Sequence, residues 1–236
     1  MERPILFPDI SIELPIQFFG SVEYYALMSA FGRVFIDPKL RYDKRFKSTH
    51  RTLIADTHGP TTITVPVVKP TKPKPTWNDV KISDHNHWWT SAEETLASAY
   101  GRTPFYEFYI DRLRQFFSQT TISSFESVGA LDEALNRVIC DILDIGCVIY
   151  SNPTDLSERT THVSLPEAMA MIKKIEPVPY YQVRQSKQGF IGSLSILDLL
   201  FNLGPESPLH LYCLVQQMKS RFHNSSTKSL CSAKKY

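Results

Sequence analysis

One short stretch of the chain concentrates side chains that bind anions. Residues 39–51 contain six lysine or arginine residues and one aspartate. Arginine holds a phosphate through two parallel hydrogen bonds and lysine adds a point charge, so a phosphate-bearing substrate would be attracted to this stretch. The alternative is a charged face that contacts only solvent.

A second pattern places polar side chains inside an apolar helix. Ser195 is a good N-cap, Gly204 and Pro205 are a stop signal, and the residues between them are apolar nearly all round, which predicts a buried helix. Asp198 and Asn202 lie four residues apart on one face of this helix, and buried polar groups need partners. Either they line a site, or Asp198 closes a capping box with Ser195 and Asn202 bonds the last turn.

An ordered set of short motifs, spread over most of residues 10–210, resembles the WbqC-like family of bacterial proteins. The most specific part is a tyrosine-glutamine pair and a phenylalanine, followed by a Ser-Ile-Leu-Asp helix that ends in Asn-x-Gly-Pro-Glu. The matching residues are Tyr181, Gln182, Gly189, Phe190, Ser195–Asp198, Asn202 and Gly204–Glu206. The upstream matches include Tyr42, Lys44, Arg51, Thr64–Val67 and Thr103–Phe105.

This resemblance implies a transferase in surface-polysaccharide (O-antigen-type) biosynthesis, which moves an acyl or aminoacyl group to a nucleotide-linked amino sugar. Asp37 or Asp198 would then be the catalytic base toward an amine. The substrate-binding residues would be Gln17, Tyr42, Lys44, Arg51, Gln182 and Asn202. The expected partner is an anionic small molecule, a nucleotide sugar or an acyl donor, and the resemblance specifies no cofactor.

Some residues depart from the usual pattern of the family. Asp37 is followed by Pro38 rather than by a second aspartate, and His50 rather than asparagine precedes Arg51. These differences favour an alternative function, that of a non-catalytic cytosolic interaction or scaffold protein. Such a protein would expose a patch of aromatic side chains.

The basic stretch follows a segment that predicts a βαβ unit. Residues 10–17 alternate between apolar and polar, Ser21 caps a helix over residues 22–28 that stops near Gly32, and residues 33–37 predict a second strand. Parallel pairing is the default for such a unit, and ligands usually bind beyond the carboxyl ends of its strands. Gln17 and Asp37 would therefore lie near one crevice.

The rest of the chain predicts a hairpin and several helices. The hairpin is expected over residues 50–55 and 61–68, and a proline- and lysine-rich loop over residues 69–76. Helices are predicted over 88–100, 105–117 and 131–143, a strand over 148–150, and a connector over 151–164. The predicted fold class is α/β, with the N-terminal βαβ unit and the β-hairpin in a mixed sheet packed with several helices. We expect one α/β domain over residues 1–218 and a basic flexible tail over 219–236.

Composition excludes several classes of protein. With 42% hydrophobic and 12% aromatic residues the chain can build a large core, into which most aromatic side chains should pack. A net charge of +2 argues against nucleic-acid binding. No apolar run approaches the ~20 residues of a membrane span, and the N-terminus lacks a signal-peptide core, so a cytoplasmic location is expected. Four scattered cysteines, with Cys140 in the core, are expected to be free thiols, and residues 84–87 predict a polar turn rather than a metal site. Familiar catalytic motifs such as a P-loop or HExxH are absent, so any enzyme assignment rests on the resemblance.

Overall fold

The centre of the fold is a parallel sheet that contains the N-terminal βαβ unit. In a computed structural model, which describes residues 5–37, 39–146, 148–150 and 161–217, β1 (Phe7–Leu14) leads through α1 (Val22–Ala30) to β2 (Phe31–Ile36). The two strands are parallel neighbours, with Ile12 opposite Val34. The predicted βαβ unit is therefore confirmed.

The bounds of this unit differ from the prediction for local reasons. Strand β1 ends before Pro15, which has no N–H to donate to a ladder. Helix α1 begins after Ser21, whose hydroxyl accepts a hydrogen bond from the N–H of Tyr24 at 3.2 Å, as predicted. Gly32, the predicted helix stop, is instead the second residue of β2, and a Cβ atom there would lie 2.8 Å from the carbonyl oxygen of Pro8. The glycine thus allows β1 and β2 to approach closely.

Two short strands, β5 (Val148–Tyr150) and β6 (Thr161–Val163), extend the sheet to the order β5-β2-β1-β6, with every neighbouring pair parallel. β5 confirms the predicted strand, whereas β6 lies inside the predicted connector. The connector prediction is therefore wrong for residues 161–163, and residues 151–160 lie outside the described part of the chain. β6 leads into α6 (Leu165–Lys174), which starts with a capping box between Ser164 and Glu167.

The predicted hairpin is present but forms a sheet of its own. β3 (Arg51–Asp56) and β4 (Gly59–Thr64) are antiparallel and make a two-stranded sheet separate from the parallel one. Gly59 has a φ of +115°, a conformation that a short hairpin turn often requires and that glycine adopts without strain. The α/β class is thus confirmed, while the single mixed sheet is corrected to two sheets.

Most of the remaining described chain is helical. Both ends of α2 (Trp88–Tyr100) agree with the prediction, and α3 (Tyr106–Arg114) is extended by a 3-10 turn over Gln115–Phe117. α5 (Val128–Ile142) begins three residues before the predicted start, because Ser127 caps it by accepting from the N–H of Ala130. The other helices are α4 (Gln119–Ser124), α7 (Gln185–Gln188), α8 (Ile196–Leu203) and a helix over residues 207–217. The predicted tail over 219–236 lies outside the described residues.

The aromatic side chains are mainly core, as predicted. The buried set includes Trp77, Trp88, Trp89, Tyr100, Tyr106, Phe116 and Phe117, and Cys140 is buried as well. The exposed large hydrophobic side chains of the described residues come from five different segments: Leu53, Val68, Phe108, Tyr181 and Leu209. No helix in the described ranges is long and apolar enough to cross a membrane.

Helix α5 places a carboxyl group in the core. Asp132 lies in the same apolar stripe as Val128, Leu131 and Leu135 and is fully buried. Neither of its carboxyl oxygens has a hydrogen-bond partner among the described residues. Burial therefore raises the pKa of Asp132 well above its ordinary value.

This burial predicts a pH-dependent cost to stability. Because the folded-state pKa of Asp132 is raised, the folded state keeps the proton where the unfolded state has lost it. The free energy of unfolding of the wild type should therefore fall, relative to that of Asp132→Asn, as the pH rises. We expect a fall of about 1.4 kcal/mol per pH unit between the unfolded-state pKa of about 3.9 and the folded-state pKa. Urea denaturation between acidic and neutral pH measures this difference. Asp9→Asn, at an exposed position of β1, should follow the wild type throughout, and a pH-independent difference for Asp132→Asn would contradict the assignment.

Candidate functional site

Two loops come together beyond the carboxyl ends of β1 and β2. The first, residues 37–50, follows β2, and the second, residues 69–76, follows the hairpin. The backbone N–H of Tyr42 donates to the carbonyl of Pro75 at 2.8 Å, and the N–H of Trp77 donates to the carbonyl of Leu40 at 3.1 Å. These bonds place the two lysine- and arginine-rich stretches side by side.

The first loop also packs on the segment that follows β1. The N–H of Phe18 donates to the carbonyl of Ser48 at 3.0 Å, and the hydroxyl of Thr49 donates to the carbonyl of Ile16 at 3.3 Å. The loop therefore lies over the carboxyl ends of both strands, which is where ligands bind in open parallel sheets.

The paired loops and Arg51, the first residue of β3, carry a dense group of exposed cations, which we call the basic surface. Its members are Lys39, Arg41, Lys44, Arg45, Lys47, Arg51, Lys69, Lys72 and Lys74, all exposed. Two of them are engaged in ion pairs, Arg45 with Asp43 at 2.7 Å and Lys72 with Asp79 at 2.8 Å. The other seven form no ion pair with a described residue, so their charge is available to an anion.

Three predicted site residues lie around this surface in different environments. Gln17 is buried beneath it, 8% exposed, in the segment that Ser48 and Thr49 hold. Asp37 is half-buried, and its Oδ1 accepts from the backbone N–H of Lys39 at 2.7 Å, which fixes the turn after β2. Tyr42 packs edge-on against Trp77, with ring centroids 4.8 Å apart.

His50 is a neutral group beside the basic surface that the sequence did not mark as a site residue. Its Nδ1 is buried without a hydrogen-bond partner in the described chain, and its ring lies 6.0 Å from that of Trp77. Burial lowers the pKa of His50, and the charges of Arg51 and Lys47 lower it further. The sequence signal that could have identified His50 was its position directly before Arg51, a predicted site residue.

Asp198 lies away from the basic surface, inside a buried network. It is 1% exposed in α8, and its Oδ2 accepts from the hydroxyl of Tyr180 at 2.6 Å and from the side-chain amide of Gln182 at 2.9 Å. Burial raises the pKa of Asp198, and the hydrogen bonds from Tyr180 and Gln182 offset part of the rise. The predicted capping box does not form, because the backbone N–H of Ser195, which it would use, donates to the carbonyl of Leu53 at 2.7 Å.

This network fastens the segment over residues 180–191, which includes the short helix α7 and which we call the strap. Gln182 joins the two ends of the strap, since its side chain donates to the carbonyl of Ile191 at 2.9 Å and accepts from the N–H of the same residue at 3.0 Å. Asn202 donates to the carbonyl of Asp198 at 2.8 Å, as predicted, and accepts from the N–H of Val183 at 3.0 Å. All three polar side chains that were predicted here therefore have internal partners.

Two more contacts tie the strap to neighbouring elements. The guanidinium of Arg184 donates to the carbonyls of Ala99 and Ser98 at the end of α2, the latter at 3.1 Å, where a positive charge also complements the helix dipole. The side-chain amide of Gln188 donates to the carbonyl of Asp56 at the end of β3 at 3.0 Å.

The space beside Asp198 is too small for a substrate. The cavity there has a volume of about 10 Å³, close to the room that one water molecule needs. It is lined by Ala55, Tyr100, Gln182–Gln185, Gln188, Gly189, Ile191, Asp198 and Asn202. Asp37, Lys44 and Arg51 do not line it. Arg51 starts β3, so its Cα lies ~13 Å along the strand from Ala55, at ~3.3 Å per residue.

The predicted residues therefore fall into two groups. Asp198, Gln182 and Asn202 share the buried network, whereas Tyr42, Lys44 and Arg51 lie on or beside the basic surface, with Asp37 and Gln17 near it. Tyr180 donates the shortest hydrogen bond to Asp198 but was not predicted. The family resemblance had pointed instead to its neighbour Tyr181, which is 54% exposed. Residues two apart in an extended segment share a face, so the position of Tyr180 relative to Gln182 was a usable signal. No group of three or more metal-ligating side chains in the described chain could hold a metal ion.

Comparison with known proteins identifies the family. The sequence model of the WbqC-like protein family matches residues 17–176, more than half of the chain, and the chain therefore belongs to this family. The match begins after β1 and includes the basic surface and the hairpin, but it ends before the strap and α8. Neither a curated protein nor a solved structure matches the chain.

The geometry of the network predicts the effect of removing one hydroxyl. Tyr180→Phe leaves the buried carboxyl of Asp198 with one donor fewer, so we expect the free energy of unfolding to fall by about 1–3 kcal/mol. Tyr181→Phe alters the adjacent, exposed ring and should change it by less than about 0.5 kcal/mol. Urea denaturation of both variants measures the difference. Equal stability of the two variants would show that the network contributes nothing to holding the strap.

Proposed function

We propose that this protein binds a phosphate-bearing small molecule, a nucleotide sugar, on the basic surface. The observation that carries this proposal is the pairing of the loops over residues 37–50 and 69–76 beyond the carboxyl ends of β1 and β2. Seven exposed cations without an ion-pair partner in the described chain give the surface the charge that a diphosphate requires. Lys44 and Arg51 are the predicted phosphate ligands among them.

The reaction we propose is acyl or aminoacyl transfer to an amine of the bound sugar, in surface-polysaccharide assembly. The amine nitrogen attacks the carbonyl carbon of an activated acyl donor such as a thioester, a C–N bond forms, and the C–S bond breaks with loss of a thiolate. A base takes the proton of the amine. Of the two predicted bases, the half-buried Asp37 is better placed for this role, because Asp198 faces a cavity that holds about one water molecule. His50, whose pKa is lowered, is a second group able to accept a proton there.

The interaction-protein alternative has less support. It required an exposed aromatic patch, whereas the exposed apolar side chains of the described residues are spread over five segments. The family match covers the loops of the basic surface, so these loops belong to the part of the chain that is shared with the family.

Charge removal on the basic surface tests the proposal. The double variant Lys44→Ala/Arg51→Ala should weaken the binding of UDP, measured by isothermal titration calorimetry at low salt, by roughly tenfold or more, because each charge-assisted hydrogen bond contributes about 1.5–3 kcal/mol. Added salt should weaken binding to the wild type as well.

The matched control removes the same charge elsewhere. Arg102→Ala/Lys173→Ala changes two exposed cations outside the basic surface and should leave UDP affinity within about twofold of the wild type. An equal loss in both double variants, or no UDP binding to the wild type, would refute the proposal.

A further inference from the structure

A separate cavity begins where the basic surface ends. The loop over residues 69–76 runs directly into the turn Trp77–Asp79, and Lys72 of the basic surface binds Asp79 at 2.8 Å. Asp79 lines a cleft of about 580 Å³, which is within the range of about 300–1,000 Å³ that small-molecule sites occupy. We call it the Trp89 cleft. It is lined by Asn78, Asp79, Lys81–Asp84, Trp89, Ile122, Ser123, Phe125 and Glu126.

The lining combines an apolar floor with a polar rim. Trp89 and Ile122 are each 4% exposed, and Phe125 is half-buried beside them. Trp89 and Ile122 form a buried apolar floor, and the partly exposed phenyl ring of Phe125 offers a surface against which the C–H groups of a sugar ring can pack. A cleft with aromatic and aliphatic walls and a few convergent polar groups has the usual composition of a ligand site.

The charge of the rim is opposite to that of the basic surface. Three carboxylates, Asp79, Asp84 and Glu126, face one lysine, Lys81. The hydrogen bonds from Lys72 and Thr76 lower the pKa of Asp79 to about 2, so this carboxylate is ionised and already engaged. Asp84 and Glu126 are exposed and form no ion pair in the described ranges, so both can accept hydrogen bonds from a ligand. Carboxylates accept from hydroxyl and ammonium groups and repel phosphate.

We propose that the Trp89 cleft binds the amine-bearing sugar ring of the substrate whose phosphates lie on the basic surface. The assignment rests on the proposed function for the phosphate part, and it adds the place and the recognition of the sugar part. The ring packs against Phe125 above the apolar floor, and Asp84 and Glu126 accept hydrogen bonds from its ammonium and hydroxyl groups. For an amine bound here, one of these two carboxylates, rather than Asp37, takes the proton that the reaction removes. The proximity of Lys72 and Asp79 lets one ligand reach both sites.

The cleft is tested with D-glucosamine as the probe and D-glucose as its neutral analogue. Both are titrated into the full chain at low salt, and binding is read from the indole N–H signals in ¹H–¹⁵N NMR spectra. We expect the wild type to bind D-glucosamine roughly fivefold more tightly than D-glucose, because the ammonium gains charge-assisted hydrogen bonds. We expect the double variant Asp84→Asn/Glu126→Gln, which keeps side-chain size and alters exposed positions, to lose this preference.

A matched variant controls for net charge. Glu94→Gln/Glu107→Gln neutralises two exposed carboxylates of α2 and α3 that do not line the cleft, and it should keep the preference for D-glucosamine. The inference is overturned if the wild type shows no preference, if Asp84→Asn/Glu126→Gln retains it, or if both double variants lose it.

UDP titrations on the same samples separate this inference from the proposed function. UDP should bind the wild type and Asp84→Asn/Glu126→Gln alike, because it lacks the amino sugar that the cleft is proposed to bind. UDP binding without the D-glucosamine preference overturns the cleft alone. The D-glucosamine preference without UDP binding overturns the proposed function and the link between the two sites, and leaves an isolated amino-sugar site.

Discussion

One carbonyl oxygen joins the three parts of the fold that surround the site. The carbonyl of Phe19, in the turn between β1 and α1, accepts from the hydroxyl of Thr52 in the hairpin at 2.7 Å and from that of Ser195 before α8 at 3.0 Å. Phe19 has a φ of +44°, a left-handed conformation that costs a bulky residue about 1–2 kcal/mol. The two hydroxyl donors offset this cost. Because the hairpin belongs to neither edge of the parallel sheet, such bonds determine where Arg51 and the basic surface lie.

The parts of the fold that the Phe19 carbonyl joins carry two kinds of polar side chain, those with internal partners and those without. On the strap side, Asp198 and its partners are buried and satisfied, so their hydrogen bonds serve to fix the strap. On the other side, the loops after β2 and after the hairpin, together with Arg51, present seven exposed cations that form no ion pair in the described chain. Groups that are held in place but left without partners are the ones available to a ligand. The basic surface and the adjoining Trp89 cleft therefore form the functional face that we propose.

Local signals predicted the parts of the fold that depend on local physics. The N-cap at Ser21 and the apolar periodicity of α2 are properties of neighbouring residues, and both were predicted correctly. The three-residue strand β6 was missed because its pairing with β1, about 150 residues away, leaves no local pattern. The hydrogen bond from Tyr180 to Asp198 was missed for the same reason, since Tyr180 comes from the strap and not from α8. Asp132 lay in the apolar stripe of α5, where a carboxyl group should have been noticed.

We propose the basic surface, at the carboxyl ends of β1 and β2, as the place where the substrate binds. The most direct measurement is a residue-by-residue map of backbone amide shifts in ¹H–¹⁵N NMR spectra as UDP is added at low ionic strength. If UDP binds there, the largest saturable shifts should fall within residues 39–51 and 69–76, and the strap should be unaffected. Shifts centred on residues 180–191, or no saturable shift in either loop, would contradict it.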